Sequence, residues 1–250
     1  ACTATAKVGT NSVLVTLTEE TNYPFEEEIR FKFDMNGKAE FPFYLRIPSW
    51  CPNARIAING NEVTSELIAG QYVQIHREWK NGDIVTLQMP MSLNVKRWQT
   101  NKNSASINYG PLTYSLLIKE NYQKVNSEEN AIWDSKWQKG ADVNAWPTYE
   151  IYPDSPWNYA LKLDDAAPEE NLIVEKREWP SDDFPFTIQN VPFLIKAKGR
   201  KVPSWKIDKY GLCGMLPEEN CSKSDTLEDI TLIPMGAARL RISSFPVAQD

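Results

Sequence analysis

The 250 residues carry 27 basic and 33 acidic side chains, a net charge of −6, with 42% apolar and 24% charged residues. That negative balance repels a phosphate backbone and an anionic membrane surface alike, which argues against nucleic acid as a partner. No window approaches the run of about 18 apolar residues that a membrane helix needs, and Ala1-Cys2-Thr3-Ala4 has neither the basic start nor the apolar stretch of a signal peptide.

A chain of this length is expected to form two domains. In the first part, Val13, Val15 and Leu17 alternate with threonines, Ile29, Phe31 and Phe33 alternate with charge, and Phe41, Phe43, Leu45 and Ile47 repeat the pattern. Each such strand buries one face and wets the other, as in antiparallel sheets packed face to face. Asn59-Gly60, flanked by Ile56, Ile58 and Val63, is the dipeptide best able to supply two positive φ values in a tight hairpin. Asn81-Gly82-Asp83 then breaks the chain, so Gln71 to Ile75 and Ile84 to Met89 read as two strands joined by a polar turn. The stretch from Met89 to Thr100 would be the last strand and exit of a β-sandwich spanning residues 1–97.

The second unit, 98–250, opens with Ser106, Ile107 and Tyr109, then Gly110-Pro111, then Leu112, Tyr114, Leu116 and Ile118. Proline cannot donate to a sheet ladder, so this is a strand pair or one strand broken by a bulge. Ile230 and Leu232, a Pro234-Met235-Gly236 turn, and Leu240 and Ile242 look like a terminal hairpin. Between them, about 121–183 reads as a long loop insertion bearing Trp133, Trp137, Trp146, Trp157 and Trp179. The class is all-β: two tandem antiparallel β-sandwich domains, jelly-roll-like.

Trp146, Tyr152, Trp157 and Tyr159 are the candidate carbohydrate-binding residues, because exposed rings can stack on sugar faces. The alternative is that they bury as packing for the loop or an adjoining domain. Cys213 and Cys221 either close one loop as a disulfide or stand as free thiols. His76, the only histidine, has no second ligand nearby and points to solvent from a strand, and no metal site is expected. Glycoside cleavage commonly uses two carboxyl groups, but Glu26-Glu27-Glu28, Asp164-Asp165, Asp182-Asp183 and Glu218-Glu219 are adjacent in sequence. Neighbours on a strand face opposite ways, so these read as solvated turns and edges, and no catalytic residue is assigned. Arg46, Arg55, Arg77 and Arg97 read as outward strand charges.

The succession Phe43-Tyr44-Leu45-Arg46-Ile47-Pro48-Ser49-Trp50, Ile58-Asn59-Gly60, Arg77 to Leu87, and Tyr109-Gly110-Pro111-Leu112-Thr113-Tyr114 resembles the C-terminal part of glycoside hydrolase family 127. These are the β-L-arabinofuranosidase-like proteins. The resemblance continues through Thr21 to Pro24, Ser155 to Leu161, and Leu232 to Ile242, although Met235 stands where relatives often have an aromatic residue. It implies a catalytic (α/α)6 barrel upstream of Ala1, in which a cysteine nucleophile is held with other cysteines and a glutamate around zinc. Cys2, Cys51, Cys213 and Cys221 fall on none of the matching motifs, so no cofactor is expected here and zinc belongs to the missing barrel.

The resemblance implies an excised, non-catalytic portion that braces that barrel, its partner in the same polypeptide, and shapes one rim of the cleft. An independent carbohydrate-binding module for plant-type glycans and a self-sufficient hydrolase are the other readings. A periplasmic or secreted location would follow if the upstream part carries a signal peptide.

Overall fold

The computed structural model describes residues 1–126, 142, 144–164, 166–167, 170–209 and 211–248. The fold is all-β, and the chain divides into two compact units, Ala1–Asn94 with Tyr109–Leu112, and Val95–Asn108 with Thr113–Asp250.

The first unit contains β1 (Cys2–Val8), β2 (Val13–Glu20), β3 (Glu28–Met35), β4 (Lys38–Arg46), β5 (Arg55–Ile58), β6 (Asn61–Glu62), β7 (Tyr72–Lys80) and β8 (Ile84–Gln88). They form a six-stranded sheet in the order β1-β2-β3-β8-β5-β6 and a two-stranded sheet, β4-β7. The period-2 pattern dictates which sides meet. Phe33 of β3 stacks on Trp79 of β7, with ring centroids 4.6 Å apart and planes 3° from parallel. Phe31 and Phe43 meet edge to face at 5.5 Å. Trp79 is fully buried, and its indole N–H donates to the Phe41 carbonyl at 3.0 Å. Val15, Leu45, Ile56, Val73, Ile75, Val85 and Leu87 complete the core between the two sheets.

The Asn59-Gly60 hairpin forms as expected, with φ of 51° and 81°, and joins β5 to β6. Its asparagine also reaches the second turn. Asn59 Nδ2 donates to Asp83 Oδ1 at 2.8 Å, and the Ile84 N–H donates to Asn59 Oδ1 at 2.8 Å. Asp83 Oδ2 accepts from the Lys80 N–H at 3.1 Å, and its side chain is 1% exposed. The turn at Asn81-Gly82-Asp83 therefore does not close a hairpin: β7 pairs with β4, whereas β8 pairs with β3 and β5. Arg77 does not point outward as read from sequence. It shares the inner face of β7 with Trp79, its guanidinium carbon 5.1 Å from that ring's centroid, with Nη2 3.8 Å from Asp83 Oδ2. His76 lies on the other, exposed face of that strand.

The second unit is built on β9 (Leu93–Trp98), β10 (Ser104–Tyr109), β11 (Leu112–Leu116), β12 (Glu120–Val125), β13 (Thr148–Pro153), β14 (Tyr159–Lys162), β15 (Ile173–Lys176), β16 (Phe193–Lys201), β17 (Leu227–Pro234) and β18 (Val247–Ala248). Eight of these form one sheet, β18-β14-β16-β17-β11-β10-β9, with β15 also on β16, and β12-β13 is a separate ribbon. The β11-β17, β12-β13, β14-β16, β15-β16 and β16-β17 pairs are antiparallel, and the short β14-β18 pair is parallel. Tyr114, Leu116, Leu161, Ile195, Leu232 and Phe245 are fully buried.

Three sequence expectations change here, and one open alternative is decided. The stretch after Met89 supplies β9 to the second sheet rather than a last strand to the first. Gly110, at φ +54°, and Pro111 separate β10 from β11, so the strand-pair alternative holds. The region 121–183 is not one loop: it contains most of β12 and all of β13, β14 and β15. Both faces of the β12-β13 ribbon are largely exposed, so they carry no buried-face alternation to read. Finally, Leu240 to Ile242 form no hairpin with β17, because the 3-10 turn Met235–Ala237 redirects the chain. Ile242 is instead held by β11: its N–H donates to Ser115 Oγ at 3.0 Å and its carbonyl accepts from the Leu116 N–H at 2.8 Å.

Candidate carbohydrate-contact site

The four rings read from the sequence have different fates. Trp146 is 74% exposed, and Tyr152, on β13, is 41% exposed with its hydroxyl donating to Glu150. Trp157 is half-buried and packs edge-on against the buried Trp205 at 5.2 Å. Tyr159 is 5% exposed and sits in β14, its hydroxyl donating to Glu228 Oε2 at 2.8 Å. Burial, followed by the hydrogen bond to Glu228, pushes that hydroxyl well above the usual tyrosine range. A ring so enclosed has no face for a sugar, because the alternation of β14 turns it into the sheet's packed side. Trp133 and Trp137 lie outside the described residues.

Trp157 lines a small apolar cavity of about 210 Å³ with Ile118, Ile207, Leu212 and Cys213, and Arg239 and Arg241 share its lining. Arg239 also lines a larger neighbouring cleft of about 540 Å³ beside the β12-β13 ribbon. Leu117, Ile188 and Ala237 supply its apolar lining, two exposed rings, Tyr122 and Phe186, flank it, and Lys119, Glu120, Asp154 and Gln189 supply polar groups. Aromatic surface combined with a few convergent polar groups is how small polar ligands are held. Glu120 is engaged within this unit: it accepts from the Tyr122 hydroxyl at 2.6 Å and from the Arg239 N–H at 2.8 Å. The first of these bonds raises the Tyr122 hydroxyl above its ordinary range, so it remains a donor at neutral pH. Sequence reasoning missed this cleft because Tyr122 alternates with charge in a two-sided ribbon, and Phe186 lies in an irregular segment.

The adjacent carboxylates serve local structure. Glu27 accepts from the Met91 N–H at 2.7 Å, Asp182 accepts from Asn190, Asp183 from the Trp179 indole, and Asp164 from the Ala166 N–H. Asp165 lies outside the described residues. Glu218 and Glu219 pair with Lys102 at 3.0 Å and Arg97 at 2.8 Å, so Arg97 is a partly buried ion-pair member rather than an outward charge. Hydrogen bonds from Asn103, then from Arg97, hold the Glu219 carboxyl below its usual range, and the bonds from Lys201 and Tyr159 do the same for Glu228.

A carboxyl whose folded pKa is depressed adds stability above the unfolded value, near 4.3, and that stability is lost as pH falls through the folded pKa. Glu219→Gln is accordingly expected to melt below the parent at pH 7, with the gap closing as pH falls below the ordinary carboxyl range. Melting curves across that range decide it, and a gap unchanged by acid would remove the ion pair from the account.

Cys2, Cys51, Cys213 and Cys221 are free thiols, so the disulfide alternative does not occur. Cys51 is buried, donating weakly to the Pro90 carbonyl, while Cys2 bonds Glu19 at the chain's start. Among the described residues no three His, Cys, Asp or Glu side chains gather closely enough to hold a metal ion.

Residues 1–91 match the family model of the beta-L-arabinofuranosidase GH127 middle domain. That stretch of the chain is similar to a GH127 middle domain. The matched residues fall in the first unit, the paired sheets closed around Trp79. The fold of nearly the whole chain recurs in larger proteins. A solved glycoside hydrolase is 22% identical at a TM-score of 0.60, covering 99% of this chain and 34% of its own. A GH127 beta-L-arabinofuranosidase from Geobacillus stearothermophilus T6 is 21% identical at 0.59, covering 98% and 32%. A further GH127 beta-arabinofuranosidase is 18% identical at 0.58, covering 98% and 33%. The chain thus spans about a third of the length of these proteins, and the fold of both its units recurs there. No curated protein matches the chain.

Proposed function

We propose that this chain is the non-catalytic β portion of a larger GH127-type glycosidase, bracing its catalytic barrel and shaping one rim of the substrate cleft. The observation that carries this reading is coverage: almost all of the chain superposes on only a third of each glycosidase. In this reading the cysteine nucleophile and zinc belong to the barrel, and the linkage cleaved by the whole enzyme is a β-L-arabinofuranosidic one. A second reading, a glycan-binding module, draws on the cleft between Tyr122 and Phe186.

One pair of assays separates the readings. The chain alone is expected to leave 4-nitrophenyl β-L-arabinofuranoside unhydrolysed and to give no binding heat with neutral arabino-oligosaccharides. Turnover abolished by a single carboxylate substitution would replace the proposal with a hydrolase. Saturable binding that is lost in Tyr122→Ala would replace it with the binding module.

A further inference from the structure

A separate pocket of about 510 Å³ opens on the second unit, on the side of β9 that bears Lys96 and Trp98. These two residues stand two apart on one strand, so their side chains share a face. The Trp98 ring is 39% exposed, and its indole N–H donates to Ser106 Oγ at 2.8 Å, which anchors one edge of the ring. Met235, 38% exposed on the 3-10 turn, adds a second apolar surface.

The polar lining is rich in donors. Thr113 Oγ1 donates to Asn108 Oδ1 at 2.7 Å, which fixes that amide and leaves its N–H₂ pointing the other way. Asn101, Ser243 and Ser244 contribute further amide and hydroxyl groups. Lys96 is the one charged residue in this lining, and its ammonium lies 3.7 Å from the Trp98 ring centroid. The pocket therefore joins an aromatic platform, neutral donors and one cation, with no carboxylate.

We propose that this pocket binds an acidic saccharide, a uronic acid unit whose carboxylate pairs with Lys96 while the Trp98 ring holds that ammonium in position and Asn108, Ser243 and Ser244 meet the sugar's hydroxyls. A neutral sugar would have to displace the ammonium from the ring face and gain nothing for it. An anionic sugar keeps the cation in place and neutralises it, a charge-assisted contact stronger than a neutral hydrogen bond. The volume falls within the range of pockets that hold small ligands. This site is independent of the brace proposed above, because it requires neither a barrel nor turnover.

The test titrates the whole chain with tri-galacturonate, with the methyl-esterified trimer and with a neutral arabino-oligosaccharide, following tryptophan fluorescence and binding heat. Saturable binding of the free acid is expected, weakened at least about tenfold by esterification and by Lys96→Gln, which removes the charge from an exposed side chain. Trp98→Ala is expected to abolish it, and Trp98→Phe to retain part, with melting temperature checked for each variant. Equal affinity for the ester and the acid, indifference to Lys96→Gln, or no binding of the acid at all would each overturn the proposal.

Discussion

Trp79→Ala is expected to destabilise the first unit by about 3–5 kcal/mol, the cost typical of removing a fully buried tryptophan. No solvent reaches the ring, so the neighbours cannot recover the lost contacts by hydration, and close-packed interiors relax only partly around a void. Phe33 loses its stacked partner at 4.6 Å, and Phe41 and Phe43 each lose a neighbour at 6.0 Å. The Phe41 carbonyl also loses its indole donor, and the Arg77 guanidinium loses the ring 5.1 Å away. Trp79→Phe keeps most of the stack and forfeits the hydrogen bond, so about 1–2 kcal/mol is expected. Urea unfolding of the two variants measures both. If the alanine variant lost under about 1 kcal/mol, Trp79 would not be the packing centre between the sheets.

Asp83→Ala is expected to cost about 3 kcal/mol or more, although it removes only one surface-turn carboxylate by sequence. Its side chain is 1% exposed and serves three donors: the Asn59 amide, the Lys80 N–H and the more distant Arg77 guanidinium. Removing the acceptor leaves these groups without a counterpart in a site that water does not fill, which costs more than the hydrogen bonds contribute. Asn59→Ala breaks the same junction from the other side and also places alanine at φ of 51°. The two substitutions share one network, so the double variant is expected to lose less than the sum of the singles, by about 0.5–3 kcal/mol. Strict additivity in denaturant midpoints would mean that the two turns are held independently.

Much of the first unit could be read from the chain because its strands bury one face only. Phe31 and Phe33, Phe41 and Phe43, and Asn59-Gly60 each carry a local signal whose meaning survives folding. What stayed hidden depends on partners distant in sequence. The turn at Gly82 announces a reversal but not that β7 and β8 enter different sheets. Ile242 has the composition of a strand residue, yet Ser115 takes its N–H and fixes it beside β11. The ribbon β12-β13 has no buried face, so its strands lack the alternation that marks the others.

The candidate rings divide along the same line. Nothing in the local sequence distinguishes Tyr159, turned into the sheet, from Trp146, left in solvent. Lys96 and Trp98 stand two apart in the chain, a spacing that says nothing until Asn108, Thr113 and Met235 return to the same pocket.

The pairing of β11 with β17 bears on the order in which the molecule comes into being. Tyr114 stands opposite Pro234, and Ala105 bridges Phe245, so the central pairings of the second sheet join its first strands to its last. The pairings of the first unit, from β1-β2 and β2-β3 to β3-β8 and β4-β7, all join strands that precede Val95. During synthesis that unit can settle while β10 and β11 still lack the strand that covers them. Their apolar residues, including Ile107, Tyr114 and Leu116, must wait until Leu227 and the residues after it have been made, with an open hydrogen-bonding edge meanwhile. The ribosome thus delivers a folded half attached to an unfinished one, and the interval before β17 arrives is when this protein is most exposed to misassembly and most in need of a chaperone.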